Sequence, residues 1–420
     1  MATVQEILTE IPRPTFQFRP GYQAPLPEGM TLTRPSAAQT KDPVSGLYTS
    51  VPSGQKRNFG PQQNFLIERE QRTNRVRYSA ENTDANRGWG GSFQSEAIVS
   101  SIIEDGKGVK LAHNGDGGWL RSSYICRGGV TSGGVEVLSM IVEEGSQKRD
   151  RMNVRDDDTG EIYADAQIDW KQSPPVAENP NNNSDKVYLR KLFDNGPNGG
   201  RVYRLVARGT APSDGNNRRA DLLMVGNGPP AGSEAIIHHA QIEEALNASL
   251  PIVTQGNAVT RGAEDVTVDV RDWWNPNGGL FLIEFMPRAH KIDRPFIVKL
   301  SSGNTGIRYA SYKGETTFDL FLNADTTNYK ENNVFEPFNK YRVAVSWNKN
   351  EINAVVNGTP EITNQPPEGF LNPPSKLSLS GRGTENHTLR HFSYTPVFHP
   401  TTESDRSAGD PPSLETLTTY

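Results

Sequence analysis

The densest set of chemically capable side chains is "RDDDTGE", residues 155–161, where Asp156, Asp157, Asp158 and Glu161 gather around a glycine. Hard oxygen ligands at a tight turn are what calcium takes, which makes Asp156 and Asp158 candidate metal ligands. Aspartate and glycine are also ordinary hairpin-turn residues, so a plain turn competes with that reading. "HNGDGG" and "SDGNN" are open to the same two readings. His238 and His239 are adjacent. In a strand such neighbours leave opposite faces and do not easily share one ion. Glycoside hydrolysis needs two carboxylates aimed into one cleft. No Glu-x-Asp-x-x-Glu run is present, and Glu284 in "FLIEFMP" lacks a partner two positions away, which makes it a solvent-facing strand residue. "GxSxG", "HExxH" and a phosphate loop are absent too. The expectation is a non-enzymatic chain with no organic cofactor. A depolymerase built from carboxylates distant in sequence is the least favoured alternative.

The elements that would position these residues read as strands. "EAIVSSII", "GVKLAH", "GWLRSSYICRGG", "VEVLSMIVEEG", "KVYLRKLF", "GRVYRLVARGT" and "AIIHHAQIEE" are short, rich in β-branched and aromatic residues, and cut by glycine, asparagine or proline. In "RVYRLVARG" the apolar set Tyr203, Leu205 and Ala207 marks the core side, opposite Val202, Arg204, Val206 and Arg208. Further on, "YRVAVSW" alternates, "NKNE" makes a polar turn, and "INAVV" returns with Ile352, Ala354 and Val356 on one side, which predicts a hairpin. The fold class expected is all-β: two β-sandwich or jelly-roll domains, over residues 92–257 and 258–400. Ahead of them, residues 1–63 carry too many prolines for a helix or a central strand and read as an extended arm for attachment and oligomerisation. Residues 64–91 form a joint, and residues 401–420 a polar surface tail.

Composition sets the limits. The 420 residues include 39 Gly and 30 Pro, which favours turns and short strands over long helices. With 44 basic and 49 acidic groups the net charge is −5, so no global field draws the chain to nucleic acid. The arginines of "NFLIEREQRTNRVRYSAENTDANRGWG" are then a local matter. Arg69, Arg72, Arg75 and Arg77 are expected to pair with Glu68, Glu70 and Glu81, and Trp89 to seat the first sandwich. A single cysteine, Cys126, excludes an intrachain disulfide and a multi-cysteine zinc site. No apolar run is long enough for a membrane span, and "MATVQEILTEIPRP" lacks the pattern of a signal peptide, so membrane insertion is not expected. Sugar binding would need an exposed aromatic beside a few polar groups. Trp119, Trp170, Tyr309 and Tyr312 are available for it. The sequons at Asn182, Asn247, Asn357 and Asn386 are what an asparagine-rich chain yields by accident.

"SWNKNEINAVVNGTP" is similar to the strand, turn and strand of concanavalin A-like lectin modules of the laminin-G kind. Four stretches in order resemble a layout in structural proteins of tailed viruses: "MTLTRPSAAQTKDPVSGLYTSVPSG", "NFLIEREQRTNRVRYSAENTDANRGW", "EAIIHHAQIEEALNASLPIVTQGNAVTRGAEDV" and "WWNPNGGLFLIEFMPR". The resemblance spans residues 30 to 398. It implies a carbohydrate-binding-like sandwich followed by a lectin-like one, on a virion surface protein such as a tail fibre, spike, capsid turret or decoration. After the joint, "RVRYSAENTDANRGWG" is more basic and polar than the layout's commoner leucine-rich version. The implied partners are sister subunits in a homo-oligomer, other virion proteins and a host surface glycan, with assembly in the host cytoplasm. A purely architectural decoration protein is the runner-up, and a cellular lectin is disfavoured.

Overall fold

The computed structural model describes residues 16–18, 25–42, 45–59, 64–68, 70–80, 95–103, 106–113, 120–127, 133–212, 217–224, 231–270, 273–287, 296–301, 305–312, 315–322, 327–331, 339–365, 370–379, 386–395 and 413–419. Among these the chain is all-β, with thirty strands and one short helix. No helix of the described residues is long and apolar enough to cross a membrane. The chain divides into two compact units, one comprising Ser36–Val51 and Gln71–Gly262, the other Met1–Pro35, Pro52–Glu70 and Ala263–Tyr420.

The first of these units is a sandwich. One sheet runs, in hydrogen-bonded order, Lys186–Phe193, Val202–Thr210, Val135–Glu143, Glu234–Glu244, Lys107–Ala112 and Ser95–Ser100. The other runs Leu120–Arg127, Asn217–Met224, Arg149–Asp156, Ile162–Asp169 and Val176–Glu178. Side-chain alternation decides what lies between them: Tyr203, Leu205 and Ala207 join Leu138, Met140, Val154, Ala166 and Ile168 in one apolar core, as the pattern of "RVYRLVARG" predicts. The opposite face of that strand is buried as well. Arg204 is 5% exposed, with Nη2 donating to Ser139 Oγ at 2.7 Å and Nη1 to the carbonyl of Ser249.

The second unit pairs a sheet of Thr359–Gln365, Ile352–Val356, Tyr341–Asn348, Gly278–Pro287, Asn386–Thr395, Asn64–Glu68 and Asn58–Phe59 with a seven-stranded one. The latter runs Met30–Thr33, Asp265–Asp269, Lys376–Ser378, Phe296–Leu300, Gly306–Tyr312, Glu315–Leu322 and Thr327–Glu331. The predicted hairpin is present, with Trp347 opposite Ile352. Val343, Val345, Trp347, Ile352, Ala354 and Val356 all enter the core. Trp274 stacks on Trp347 at 5.1 Å and Trp273 on Phe16 at 5.5 Å, a packing role for both tryptophans.

Two expectations about the chain ends are corrected. Where described, residues 1–63 are not a separate extended arm but short strands built into the sheets of the two units. Phe16–Phe18 pairs with Asn386–Thr395, and Met30–Thr33 with Asp265–Asp269. Phe16, Phe18, Met30 and Leu32 are buried in the core of the second unit, while Ala38–Lys41 and Tyr48–Val51 form a hairpin assigned to the first. Prolines separate these strands rather than interrupt them, which is why strand periodicity is hard to see there. The tail is also more than a polar surface segment. Ser413 caps a helix Leu414–Thr418, accepting from Thr416 N at 3.2 Å, and Leu414 and Leu417 pack on Leu280, Ala344 and Val355. Residues 401–412 lie outside the described residues.

Candidate functional site

The arginine-rich joint is built from long-range partners. Arg75 Nη1 is 3.2 Å from Glu136 and its Nη2 is 2.9 Å from Glu244, while Arg77 Nε donates to the carbonyl of Gly256 at 3.0 Å. The expected pairing of Arg75 with neighbouring acids is thereby replaced. Arg69, Glu81 and Trp89 lie outside the described residues. Asn74, fully buried, acts as a clamp: Nδ2 donates to the carbonyl of Ile252 at 2.8 Å, and Oδ1 accepts from Val76 N at 3.1 Å and Ile242 N at 3.2 Å. "RTN" pairs in register with "VTR", Asn74 opposite Val259 and Arg72 opposite Arg261.

Four residues before the first triplet and three after the second, Glu68 and Glu264 enter a buried network in the second unit. Glu264 Oε1 accepts from Arg34 Nη1 at 2.7 Å and from Arg57 Nε at 2.8 Å, and its Oε2 accepts from Arg57 Nη2 and Glu68 N, each at 2.7 Å. Arg57 Nη1 also lies 2.7 Å from Glu68 Oε2, and all four side chains are fully buried. Burial alone would lower the Arg57 pKa, but the Glu264 and Glu68 carboxylates raise it above its ordinary value. Arg75, Arg77, Glu68 and Glu264 are thus internal fasteners.

The candidate calcium residues are also structural. Asp156 is fully buried and ion-paired to Arg218 at 2.9 Å, and its Oδ1 accepts from Asp158 N at 2.9 Å and Thr159 N at 3.3 Å. Gly160 closes the turn at φ +77°, which an L side chain rarely adopts. Asp158 is exposed, and among the described residues no cluster of three or more His, Cys, Asp or Glu side chains could hold a metal ion. His238 and His239 have separate partners, as their adjacency predicts. His238 Nε2 is 2.9 Å from Glu143, and His239 Nε2 is 3.3 Å from the carbonyl of Ile252. Burial and the Arg204 charge push His239 down to about 3, so it is neutral. Glu284 is not solvent-facing: it is 8% exposed and 3.2 Å from Arg342.

On the outer face of the five-stranded sheet of the first unit, polar groups pair mostly with each other. Arg151 Nε donates to Asp165 at 2.7 Å, Arg149 Nη2 to Asp169 at 3.1 Å, and Gln167 Nε2 to Glu178 at 2.8 Å. Asn153, between Asp165 and Asp221 in register, is 3% exposed. Trp170 is 5% exposed and donates from Nε1 to Asp150 at 2.7 Å, so it is no sugar platform. The side chains of Trp119, Tyr309 and Tyr312 lie outside the described residues.

Asp150 is a strongly perturbed carboxyl of that unit. Burial raises it from 3.8 to about 7, against the opposing hydrogen bond from Trp170. The folded state therefore holds this proton more tightly than the unfolded chain. Its contribution to stability is full below pH 3.8 and is lost as pH rises to about 7, a span worth about 4 kcal/mol. Asp150→Asn removes the charge but buries an amide N–H without an acceptor, costing about 1–3 kcal/mol. Urea titrations should then show the variant more stable than the parent by about 1–3 kcal/mol at pH 8, and no more stable than it at pH 4. Equal differences at both pH values would refute this assignment.

An open cavity lies in the second unit. Val266, Val268, Val298, Leu300 and Leu377 point into the core, so strand alternation turns Thr267, Lys299, Ser301, Lys376 and Ser378 to the other face. Thr267 and Lys299 both sit opposite Ser378 in register. These residues line a shallow cavity of about 250 Å³. Ser301 Oγ holds one wall by accepting from Lys376 N at 3.0 Å and lying 3.1 Å from Ser375 Oγ. Hydroxyls and ammonium groups here can donate to and accept from a polyol. No carboxylate lines the cavity among the described residues.

No protein-family model and no curated protein matches this chain. Among solved structures, the full extracellular region of zebrafish Gpr126/Adgrg6 aligns over 76% of this chain and 38% of its own, at 10% identity and a TM-score of 0.22. A likeness that weak carries no argument about fold or function.

Proposed function

We propose that the chain is a non-enzymatic virion surface protein of a tailed virus, a fibre, spike, turret or decoration subunit, that helps adsorption to host surface glycans. The observation that carries the glycan reading is the open cavity at Thr267, Lys299, Ser301, Lys376 and Ser378, whose lining offers hydrogen-bonding groups without catalytic carboxylates. The virion reading rests on the resemblance of the four ordered sequence stretches. Its support from geometry is that the motif residues act together, "RTN" on "VTR" and Glu68 on Glu264. One weak sugar site gains strength from repeated copies, which fits a homo-oligomer on a particle. Sister subunits and other virion proteins would be met through surfaces of the two units, since the strands of residues 16–59 are committed to internal sheets.

A second reading, an architectural decoration protein without ligand, is favoured by the self-paired polar face at Arg149, Arg151, Asp165 and Asp169. Antibody labelling of purified particles, with adsorption competed by the purified chain, tests the proposal. Labelled particles whose adsorption is blocked by the free protein support an adhesin. Labelling without competition favours architecture, and unlabelled particles contradict both readings.

A further inference from the structure

In the second unit the strands Ile352–Val356 and Thr359–Gln365 are joined by two residues, Asn357 and Gly358, with Val356 opposite Thr359 in register. Both have positive φ, +48° and +81°, the backbone of a tight two-residue hairpin turn, which asparagine and glycine adopt most readily. Asn-Gly is also the dipeptide in which a backbone nitrogen most easily reaches the preceding carboxamide, since glycine has no side chain in the way. Both reacting groups are tied here. Asn357 is exposed, but its carboxamide turns to the adjacent strand: Oδ1 accepts from Arg342 N at 2.8 Å, and Asn357 N donates to the Arg342 carbonyl at 3.0 Å. Gly358 N donates to Thr418 Oγ1 at 2.9 Å. Thr418 ends the helix Leu414–Thr418, is 3% exposed, and its hydroxyl donates in turn to the Leu414 carbonyl at 2.9 Å. Thr419 crowds the turn from the same side, since a Cβ on residue 358 would lie 2.7 Å from Thr419 Oγ1. Five residues do not hold a helix by themselves. What seats this one is the packing of Leu414 and Leu417 on Leu280, Ala344 and Val355, on the sheet face turned away from the main core of the unit.

We propose that Asn357–Gly358 is a latent deamidation site, closed while the helix Leu414–Thr418 is docked and opened when that helix lifts off. With the helix away, Gly358 N loses its acceptor and attacks Asn357 Cγ. The nitrogen gives up its proton, the Cγ–Nδ2 bond breaks and ammonia leaves. Water then opens the succinimide to aspartate or isoaspartate, so the step needs no oxidant and no reactant besides water. Isoaspartate adds a methylene to a backbone turn whose length sets the register of the hairpin. Thr359–Gln365 lies at the end of its sheet, so a lengthened turn loosens that strand before the core. Release of the helix is thereby recorded covalently in the chain. The inference is independent of the open cavity, with which it shares no residue.

The test incubates the full chain at about pH 8, folded and in urea, and follows conversion at Asn357 by peptide mapping and mass spectrometry. The exposed Asn277, which also precedes a glycine and belongs to the same unit, is the internal reference. Asn357 should convert at least about tenfold more slowly in the folded parent than in urea. Thr418→Val keeps the side-chain shape without the acceptor and should raise the folded rate about three- to tenfold, the factor that one lost hydrogen bond supplies, while Thr418→Ser should keep the parent rate. Leu414→Ala together with Leu417→Ala unseats the helix and should bring the rate close to that in urea, with Asn277 unchanged throughout. Should the double variant fail to fold, Thr418→Val and Thr418→Ser carry the comparison. A parent rate equal to that in urea, unchanged rates in the folded variants, or an acceleration that Asn277 shares would overturn the proposal.

Discussion

A chain lacking residues 1–63 is expected to lose the cooperative fold of the C-terminal unit. The deletion takes Phe16, Phe18, Met30 and Leu32 out of its core, side chains between 2% and 7% exposed. Each is worth about 2–3 kcal/mol when buried, roughly 10 kcal/mol together. It also removes Arg34 and Arg57, leaving Glu68 and Glu264 as two buried carboxylates without their counter-charges. Uncompensated burial of this kind costs about 3–5 kcal/mol for each broken partnership. A domain with about 5–15 kcal/mol of stability does not survive the sum. Near-ultraviolet circular dichroism and thermal melting should show the transition of that unit abolished, with the product aggregating or open to protease. A soluble truncated chain with that transition intact would restore the reading of residues 1–63 as a separate extended arm.

The next largest effect is expected from a single atom pair. Glu264→Gln keeps the side-chain shape but presents an amide N–H₂ where one oxygen accepted from Arg57 and Glu68 or from Arg34 and Arg57. Donor then faces donor, and the carboxylate charge facing Arg34 and Arg57 is lost while the Arg57–Glu68 pair remains. The expected loss is about 3–5 kcal/mol, read as a lower denaturant midpoint at unchanged slope for the unit that holds the network. Arg57→Lys should lose a comparable amount despite keeping the charge, because the fork that spans both glutamates is gone. A variant within about 0.5 kcal/mol of the parent would mean that the network is not the fastener described.

What could be read in the sequence follows from the range of each interaction. Strand alternation is local, and so the hairpin from Trp347 to Ile352 and the core face at Tyr203, Leu205 and Ala207 were legible before any coordinates. The same locality separated His238 from His239. Partners of buried charges are not local: Arg57 meets Glu264 at a separation of 207 residues, and Arg75 meets Glu244 at 169. Short strands between prolines, such as Phe16–Phe18 and Met30–Thr33, offer too few residues for a period to show, and only their sheet partners reveal them. In the helix Leu414–Thr418 two leucines sit in a polar, proline-rich stretch, a pattern too short to predict a helix on its own. The cavity at Thr267 and Lys299 was invisible for a related reason, since its residues come from three strands joined only by register.

The sugar site proposed for the C-terminal unit is expected to bind without cleaving. A glycan microarray probed with the full-length chain and with a Lys299→Met, Lys376→Met double variant tests it most directly, with reducing-end release from any bound glycan measured alongside. Expected are binding to a restricted set of glycans, at least about tenfold weaker in a variant whose thermal midpoint matches the parent, and no release of reducing ends. Absence of any glycan binding, binding untouched by the double substitution, or cleavage of the bound glycan would contradict it.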